Sequence, residues 1–258
     1  MIYRVDLHVH TSATLGASAS LSDLARAARR AGIDAIAVTD QNCYTAVPLE
    51  LGGVLMIPGC EITTLGGQIL GVFLEQAPDF SRLTRHGVPT ADEAVLEIHR
   101  CGGLAVLAHP FACSDANPAR FPIRPDAVET ISARASLFSP NANKRALLWA
   151  ADHGRPKIGG SNAHSAQEVG NAYTEIACQR LTRAFLKEAM DLGHCRPVSV
   201  RDTSHTCCGF VDLANARRLG SKAMIVRSTA RLGLCKLHDL LHTDPNKKKA
   251  HKHSSHRP

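Results

Sequence analysis

The chain has 258 residues, 44% hydrophobic and 21% charged, which fits one large globular domain or two small ones and excludes a low-complexity chain. Its formal charge is +7, but residues 244–258 hold +4 of that, so the body is only mildly basic and its charge gives weak support for nucleic-acid binding. No apolar run approaches the ~18 residues of a membrane span, and the start, Met1-Ile2-Tyr3-Arg4-Val5-Asp6, lacks a signal-peptide pattern. The expectation is a cytoplasmic chain with no membrane partner. Nine cysteines without CxxC spacing suit reduced thiols.

Tyr3–His8 is short, apolar and partly β-branched, and reads as a strand. Leu21–Ala31 has apolar residues at helical spacing, with Ser22 as N-cap and Gly32 just past the end. Ile33–Thr39, Val54–Pro58 and Gln68–Leu74 read as buried strands. Thr90–Arg100 is a helix: Thr90 caps it, Glu93 completes a capping box, and Gly102-Gly103 stop it. Leu104–Leu107, Asp126–Ile131 and Lys157–Gly160 continue as strands, with a helix over Asn143–His153. This alternation predicts a parallel sheet or a β/α barrel, with chemistry at the C-terminal ends of its strands.

Beyond about residue 200 the pattern decays. Arg201–Gly209 shows no clear period, and Leu213–Arg218 and Leu232–Leu241 read as short helices. The expected organisation is a domain over 1–200, an extension of uncertain structure over 201–243, read as unrelated or frame-shifted in origin, and a basic, disordered His/Lys-rich tail over 244–258. The tail's cations could meet nucleic-acid phosphates; a solvated end is the favoured reading.

The strand ends carry the chemistry. The first gives His8 and His10, which share a face because strand side chains alternate and so can chelate one ion. Later ends give Asp40, then Glu61, then His109, then Asn162 and His164. Imidazole and carboxylate bind borderline divalent metals well.

The segments DLHVHT at 6–11, VTDQN at 38–42, IPGCE at 57–61, LAHP at 107–110 and GSNAH at 160–164 together resemble the PHP (polymerase and histidinol phosphatase) family. The resemblance covers roughly residues 3–200. It implies a distorted seven-stranded β/α barrel and hydrolysis of phosphate esters with two or three Mn, Zn or Fe ions at the barrel mouth. Paired ions bind hydroxide and stabilise both oxygens of an in-line displacement. The metal ligands expected here are His8, His10, Glu61, His109, Asn162 and His164, with Glu61 as a bridge. Asp40 and His164 are the expected catalytic residues, Asp40 as a partner that orients a ligand. Arg124, Arg134 and Lys144 are candidates to steady a phosphate.

The chain also departs from the family pattern. Gln41 stands where members usually carry His, Asn162 where they carry Asp, Gln68 where His is common, and Leu15 where Asp or His is common. An amide is a weaker ligand for these metals. The third ion position is therefore expected to be empty, leaving one or two divalent ions per chain. The expected function is metal-dependent hydrolysis of a small phosphomonoester, a nucleotide or a nucleic-acid end. The alternatives are a catalytically impaired PHP module that binds a phosphorylated ligand, nucleic acid or partner protein, and an amidohydrolase acting on C–N bonds.

Overall fold

A computed structural model describes residues 1–113, 116–122 and 124–242. The basic tail over 244–258, with its expected disorder, lies outside the described residues. The chain divides into two compact units, one over Met1–Thr203 and one starting at Ser204.

The first unit opens with strand β1 (Ile2–Val9), helix α1 (Leu21–Ala31) and strands β2 (Ala35–Val38), β3 (Glu50–Leu51), β4 (Val54–Thr64) and β5 (Gly67–Val72). It continues with α2 (Phe80–Leu83), α3 (Ala91–Arg100), β6 (Leu104–Ala108), β7 (Ala127–Ser132), α4 (Ala142–Asp152) and β8 (Lys157–Gly160). It ends with β9 (Ala172–Ala177), α5 (Arg183–Asp191) and β10 (Cys195–Ser199). The predicted caps of α3 are present: Thr90 accepts from the Glu93 amide, and Glu93 accepts from the Thr90 amide. For α1 the cap is Ser20, not Ser22. Ser20 forms a reciprocal box with Asp23, which satisfies two orphan amides that Ser22, inside the first turn, cannot reach. Strand β4 does not stop at Pro58 but runs on to Thr64, because its second half pairs antiparallel with β5.

The sheet order is β10-β9-β1-β2-β4-β5-β6-β7-β8, with β3 beside β4. Nine strands thus form the path, and the expected count of seven is not confirmed. The pairs β1·β2, β2·β4, β6·β7 and β7·β8 are parallel, and the others antiparallel. The sheet curls into a nearly closed barrel whose end strands meet around β8. A parallel bridge joins Val9 to Ala163. The Thr174 hydroxyl in β9 donates to the Gly159 carbonyl at 2.8 Å and accepts the Gly159 amide at 2.9 Å.

The barrel floor is aliphatic. Val5, Leu7, Leu55, Ile57, Leu70, Val106 and Ile158 belong to one buried cluster. Outside the barrel, Leu24, Ile36, Val38 and Met56 pack with α1, and Ile62, Ile69, Leu107 and Ile98 pack with α3. One irregularity matters for function. Val5 and Leu7 lie in the interior cluster, whereas Val9 lies in the outer one. Strict alternation would keep all three on one face. The β1·β2 register shifts between Asp6 and Val9, and this bulge turns His8 and His10 inward above the aliphatic floor.

The second unit is a helix pair, α6 (His205–Arg218) and α7 (Lys222–His242). Helix α6 begins at His205, inside the stretch that showed no period in the sequence. Its first amides are capped by Asp239, which accepts from His205 and Thr206 at 3.2 and 2.7 Å. The two helices approach closely at Gly209, where an added Cβ would come within 3.0 Å of Leu232. Among the described residues no helix is long and apolar enough to cross a membrane.

Two stability predictions follow from these contacts. Thr174→Val keeps shape but strands both backbone groups of Gly159, so urea unfolding is expected to show a loss of about 2–4 kcal/mol. The second concerns Glu97 on α3, which accepts from Arg100, the Asp79 amide and Arg82. The Arg100 hydrogen bond leads the causes that hold its carboxyl down at about 2, against an ordinary 4.5. Its stabilisation is complete above pH 4.5 and is lost as pH falls towards 2. Because both arginines are half-exposed, screening limits the effect to about 2 kcal/mol. In Glu97→Gln that part of the acid limb is expected to flatten.

Candidate metal centre

Several strand ends at the mouth contribute inward side chains above the floor. From β1 comes His8, with His10 just past its end, from β4 Glu61, from β5 Gln68 and from β7 Glu129. His109 follows β6, and Asn162 and His164 follow β8. Gly160 leaves the room this cluster needs: a Cβ there would lie 2.6 Å from the His8 Cβ and 2.8 Å from Glu129 Oε1.

The nitrogens and carboxylates converge. His8 Nε2 lies 3.1 Å from His10 Nε2 and 3.3 Å from Glu61 Oε1. His10 Nε2 is 3.8 Å from Glu61 Oε2, and His109 Nε2 is 3.5 Å from Glu61 Oε1. Two imidazoles bound tetrahedrally to one ion at about 2.1 Å have their nitrogens about 3.4 Å apart, close to the spacing here. Two groups have ligand atoms within 4.8 Å of one another: His8, His10 and Glu61, and His8, His109 and Glu129. Buried Glu61 Oε1 and Asn162 Oδ1 lack a hydrogen-bond partner. Unpaired acceptors beside imidazole lone pairs are what a bound cation satisfies, so these residues fit a divalent ion.

Hydrogen bonds set the tautomers. The His8 Nδ1–H donates to Glu129 Oε1 at 3.1 Å, leaving Nε2 directed at the site. The other Glu129 oxygen accepts the His109 amide at 3.0 Å. Asp40 acts on His10 at one remove. Its carboxylate accepts from the Thr11 amide and from the hydroxyls of Thr11, Thr14 and Thr45, at 2.7, 2.6, 2.8 and 2.5 Å. Since Thr14 donates to Asp40, its oxygen must accept from His10 Nδ1–H, 3.2 Å away. His164 Nδ1–H donates to the Asn162 carbonyl at 3.1 Å.

The charges are tightly coupled. Burial alone would push His8 down, but Glu129 and then Glu61 outweigh it and hold it up at about 10, so a bound cation would displace the Nε2 proton. Burial pushes His10 down to about 3, with Glu61 opposing and His8 adding to the fall. For Glu61 burial works upwards, yet the neighbouring His109 and His8 imidazoles hold it well below the carboxylate range. His164 is held well below its ordinary value, chiefly by burial and then by His10. His109 and Asn162 both have positive φ, 25° and 51°. Non-glycine residues in this region gather at functional sites.

The structure brings His8, His10, Glu61, His109, Asn162 and His164 to one mouth, and all but His8 and His10 line a cavity of about 680 Å³. It does not complete a third ligand set around His164. Leu15 is 74% exposed, and the Gln41 amide donates to Thr63 at 3.2 Å. Among the three candidate cations, Arg134 lines the cavity; Arg124 and Lys144 are exposed and lie outside its lining. Sequence reasoning missed Glu129, Thr14 and the ion pair of Arg134 with Glu168. Glu129 left one signal, a lone carboxylate inside the apolar stretch AVETIS. Thr14 left none.

The family model described as the PHP domain matches residues 6–113, and one described as PHP-associated matches 140–193. The chain belongs to the PHP family. Two uncharacterised proteins of Methanocaldococcus jannaschii are each 29% identical to it. One matches over 147 residues, 50% of this chain and 82% of that protein; the other over 184 residues, 67% and 70%. Among solved structures, a two-domain protein from Bacteroides vulgatus containing a predicted PHP-like metal-dependent phosphoesterase superposes with a TM-score of 0.57 at 19% identity. The match covers 77% of this chain and 65% of that one, so this chain spans just under two-thirds of its length. A lesion-specific endonuclease from Pyrococcus furiosus matches at 0.53 and 16%, over 76% and 58% of the two chains. At such identities the PHP likeness to these structures is one of fold.

Glu129→Gln tests the positioning of the PHP site. Both Glu129 oxygens accept, and an amide can satisfy only one of them. If its NH₂ faces His8, the imidazole flips tautomer and loses the Nε2 lone pair. Calorimetric Mn²⁺ or Zn²⁺ affinity is expected to fall about 10–100-fold, with circular dichroism unchanged.

Proposed function

We propose that this PHP protein is a metal-dependent phosphoesterase acting on a phosphomonoester. The observation that carries the reading is the convergence of His8 Nε2 and His10 Nε2 on the Glu61 carboxylate, whose Oε1 has no hydrogen-bond partner, beside a cavity that also holds Arg134. His8, His10 and Glu61 would hold one ion, with Asn162 Oδ1 facing it. Glu61 and His109 would hold a second. Bound there, divalent ions supply Lewis acidity towards a phosphoryl oxygen and an attacking water.

The chain's own groups do the rest. Arg134, anchored by Glu168, offers its remaining N–H groups to the phosphate oxygens. His164 presents its Nε2 lone pair and, being neutral, accepts a hydrogen bond from the attacking water. Asp40 acts at one remove from the ions. Its carboxylate is filled by four donors, so it holds Thr14, and through Thr14 it holds His10. That makes Asp40 a positioning residue.

The incomplete third position at Leu15, Gln41 and His164 favours fewer ions than the family pattern, and is the one observation behind the alternative of an impaired, ligand-binding module. Calorimetry and hydrolysis together separate the two readings. The full-length protein is expected to bind one to two equivalents of Mn²⁺, Zn²⁺ or Fe²⁺ beyond a His8→Ala/His10→Ala variant, and to hydrolyse phosphomonoesters but not amides. The double variant is expected to lose more than about 100-fold in kcat/KM, beyond the usual effect of an outer partner. No difference in metal binding between the two proteins would overturn the phosphoesterase reading and leave the binding module.

A further inference from the structure

The walls of the cavity differ in chemistry. The lining combines polar groups, among them Glu61, His109, Gln41, Gln68 and Arg134, with an apolar set of Ala112, Ala135, Leu137 and Phe138. Among the described residues Arg134 is the only lysine or arginine lining it, and Glu168 offsets part of its charge. A second phosphate or a carboxylate on the substrate would therefore find no cation of its own. The cavity of about 680 Å³ lies within the roughly 300–1,000 Å³ that accommodates a drug-sized ligand. A phosphate fills only a small part of it.

Phe138 is the unusual member of the apolar wall. It lines the cavity yet is 66% exposed, so the protein leaves much of its ring uncovered. Arg134 and Phe138 bracket a single 3₁₀ turn, Ala135–Leu137. Backbone hydrogen bonds from Leu137 to Arg134 and from Phe138 to Ala135, at 3.2 and 3.1 Å, close that turn. The phosphate anchor and the apolar platform are thereby fixed about one turn apart, and a substrate that uses both meets a preorganised surface. The side chains of Ala112, Ala135, Leu137 and Phe138 offer no hydrogen-bonding group to read a polar edge.

Taking the phosphoesterase reading as its basis, we infer that the substrate is a monoester with one phosphate and an uncharged aromatic leaving group, which stacks on Phe138 beside Leu137. Phe138 is then a specificity-determining residue, contacting the leaving group and not the phosphorus. Aromatic rings pair favourably beyond the apolar area they cover.

The test compares 2-phenylethyl phosphate with 2-hydroxyethyl phosphate, both alkyl monoesters, using the full-length protein with Mn²⁺. Covering roughly 55 Å² of apolar surface predicts a kcat/KM ratio of about tenfold in favour of the aromatic ester, carried mainly by KM. The ratio is expected to fall close to one in Phe138→Ala and to persist in Phe138→Tyr. Equal kcat/KM values in the unaltered protein, or a ratio that survives Phe138→Ala, would overturn the inference while leaving phosphoesterase activity in place. If neither ester is hydrolysed, the phosphoesterase reading fails, and calorimetry with 2-phenylethylphosphonate and 2-hydroxyethylphosphonate decides the inference separately. Tighter, Phe138-dependent binding of the aromatic compound upholds it, and equal binding overturns it.

Discussion

His8 stands between two buried carboxylates, and the rest of the site is arranged around that placement. Glu129 takes its Nδ1–H and Glu61 faces its Nε2, with all three side chains almost wholly buried. An isolated carboxylate at this depth would be very costly. Here each charge is compensated in a definite order: Glu129 fixes the tautomer, the tautomer aims Nε2, and Nε2 meets the Glu61 oxygen that no hydrogen bond satisfies. Asp40, Thr14 and His10 repeat the device on the next ring. In both cases a carboxylate outside the lining of the main cavity decides which nitrogen of a histidine faces the site.

The backbone makes this arrangement possible at two places. A bulge in β1 exchanges the inward face between Leu7 and Val9, so an aliphatic floor gives way to a polar ring within two residues. Asp6 pins the bulge by accepting amides of Ser161 and Gly170, each at 2.9 Å; burial, against those hydrogen bonds, raises its carboxyl to about 6. Opposite it, Gly160 supplies the gap into which His8 and Glu129 fit. The same strand is tied to β9 through Thr174, so barrel closure and site geometry share one element.

How much of this was legible in the sequence depends on the range of the interactions. The helix over Leu21–Ala31, the Thr90 capping box and the order of the strand-end ligands could be read directly, because local spacing encodes them. The outward signs of β9 and β10 were too weak, since each is set by pairing with a strand remote in sequence: Val5 with Thr174, and Tyr173 with Val198. Glu129, 121 residues from His8, was missed for the same reason, and so was the contact of Arg134 with Glu168. Of the helix pair α6 and α7 only the C-terminal parts, Leu213–Arg218 and Leu232–Leu241, could be read, because the apolar residues of the rest follow no clean face. What organises its start is Asp239, more than thirty residues away.

The amides at 41, 68 and 162 gain meaning from a count of charge. Glu61 and Glu129 are the anions that face the histidines, and the Arg134 charge is largely cancelled by Glu168. On the phosphoesterase reading, with both carboxylates ionised and the histidines neutral as metal ligands, one dication would leave the centre neutral, whereas two would leave it with a charge of about +2, matched to a phosphomonoester dianion. An aspartate in place of Asn162 would remove one unit of that surplus. Histidines in place of Gln41 and Gln68 would add ligands without charge. On that reading the amides at Gln41 and Gln68 would lower the number of ions the mouth can hold, while the amide at Asn162 would preserve the positive excess at a reduced centre. On this account the departures from the family pattern are mutually consistent, because fewer ions need fewer anions to keep the same attraction for phosphate.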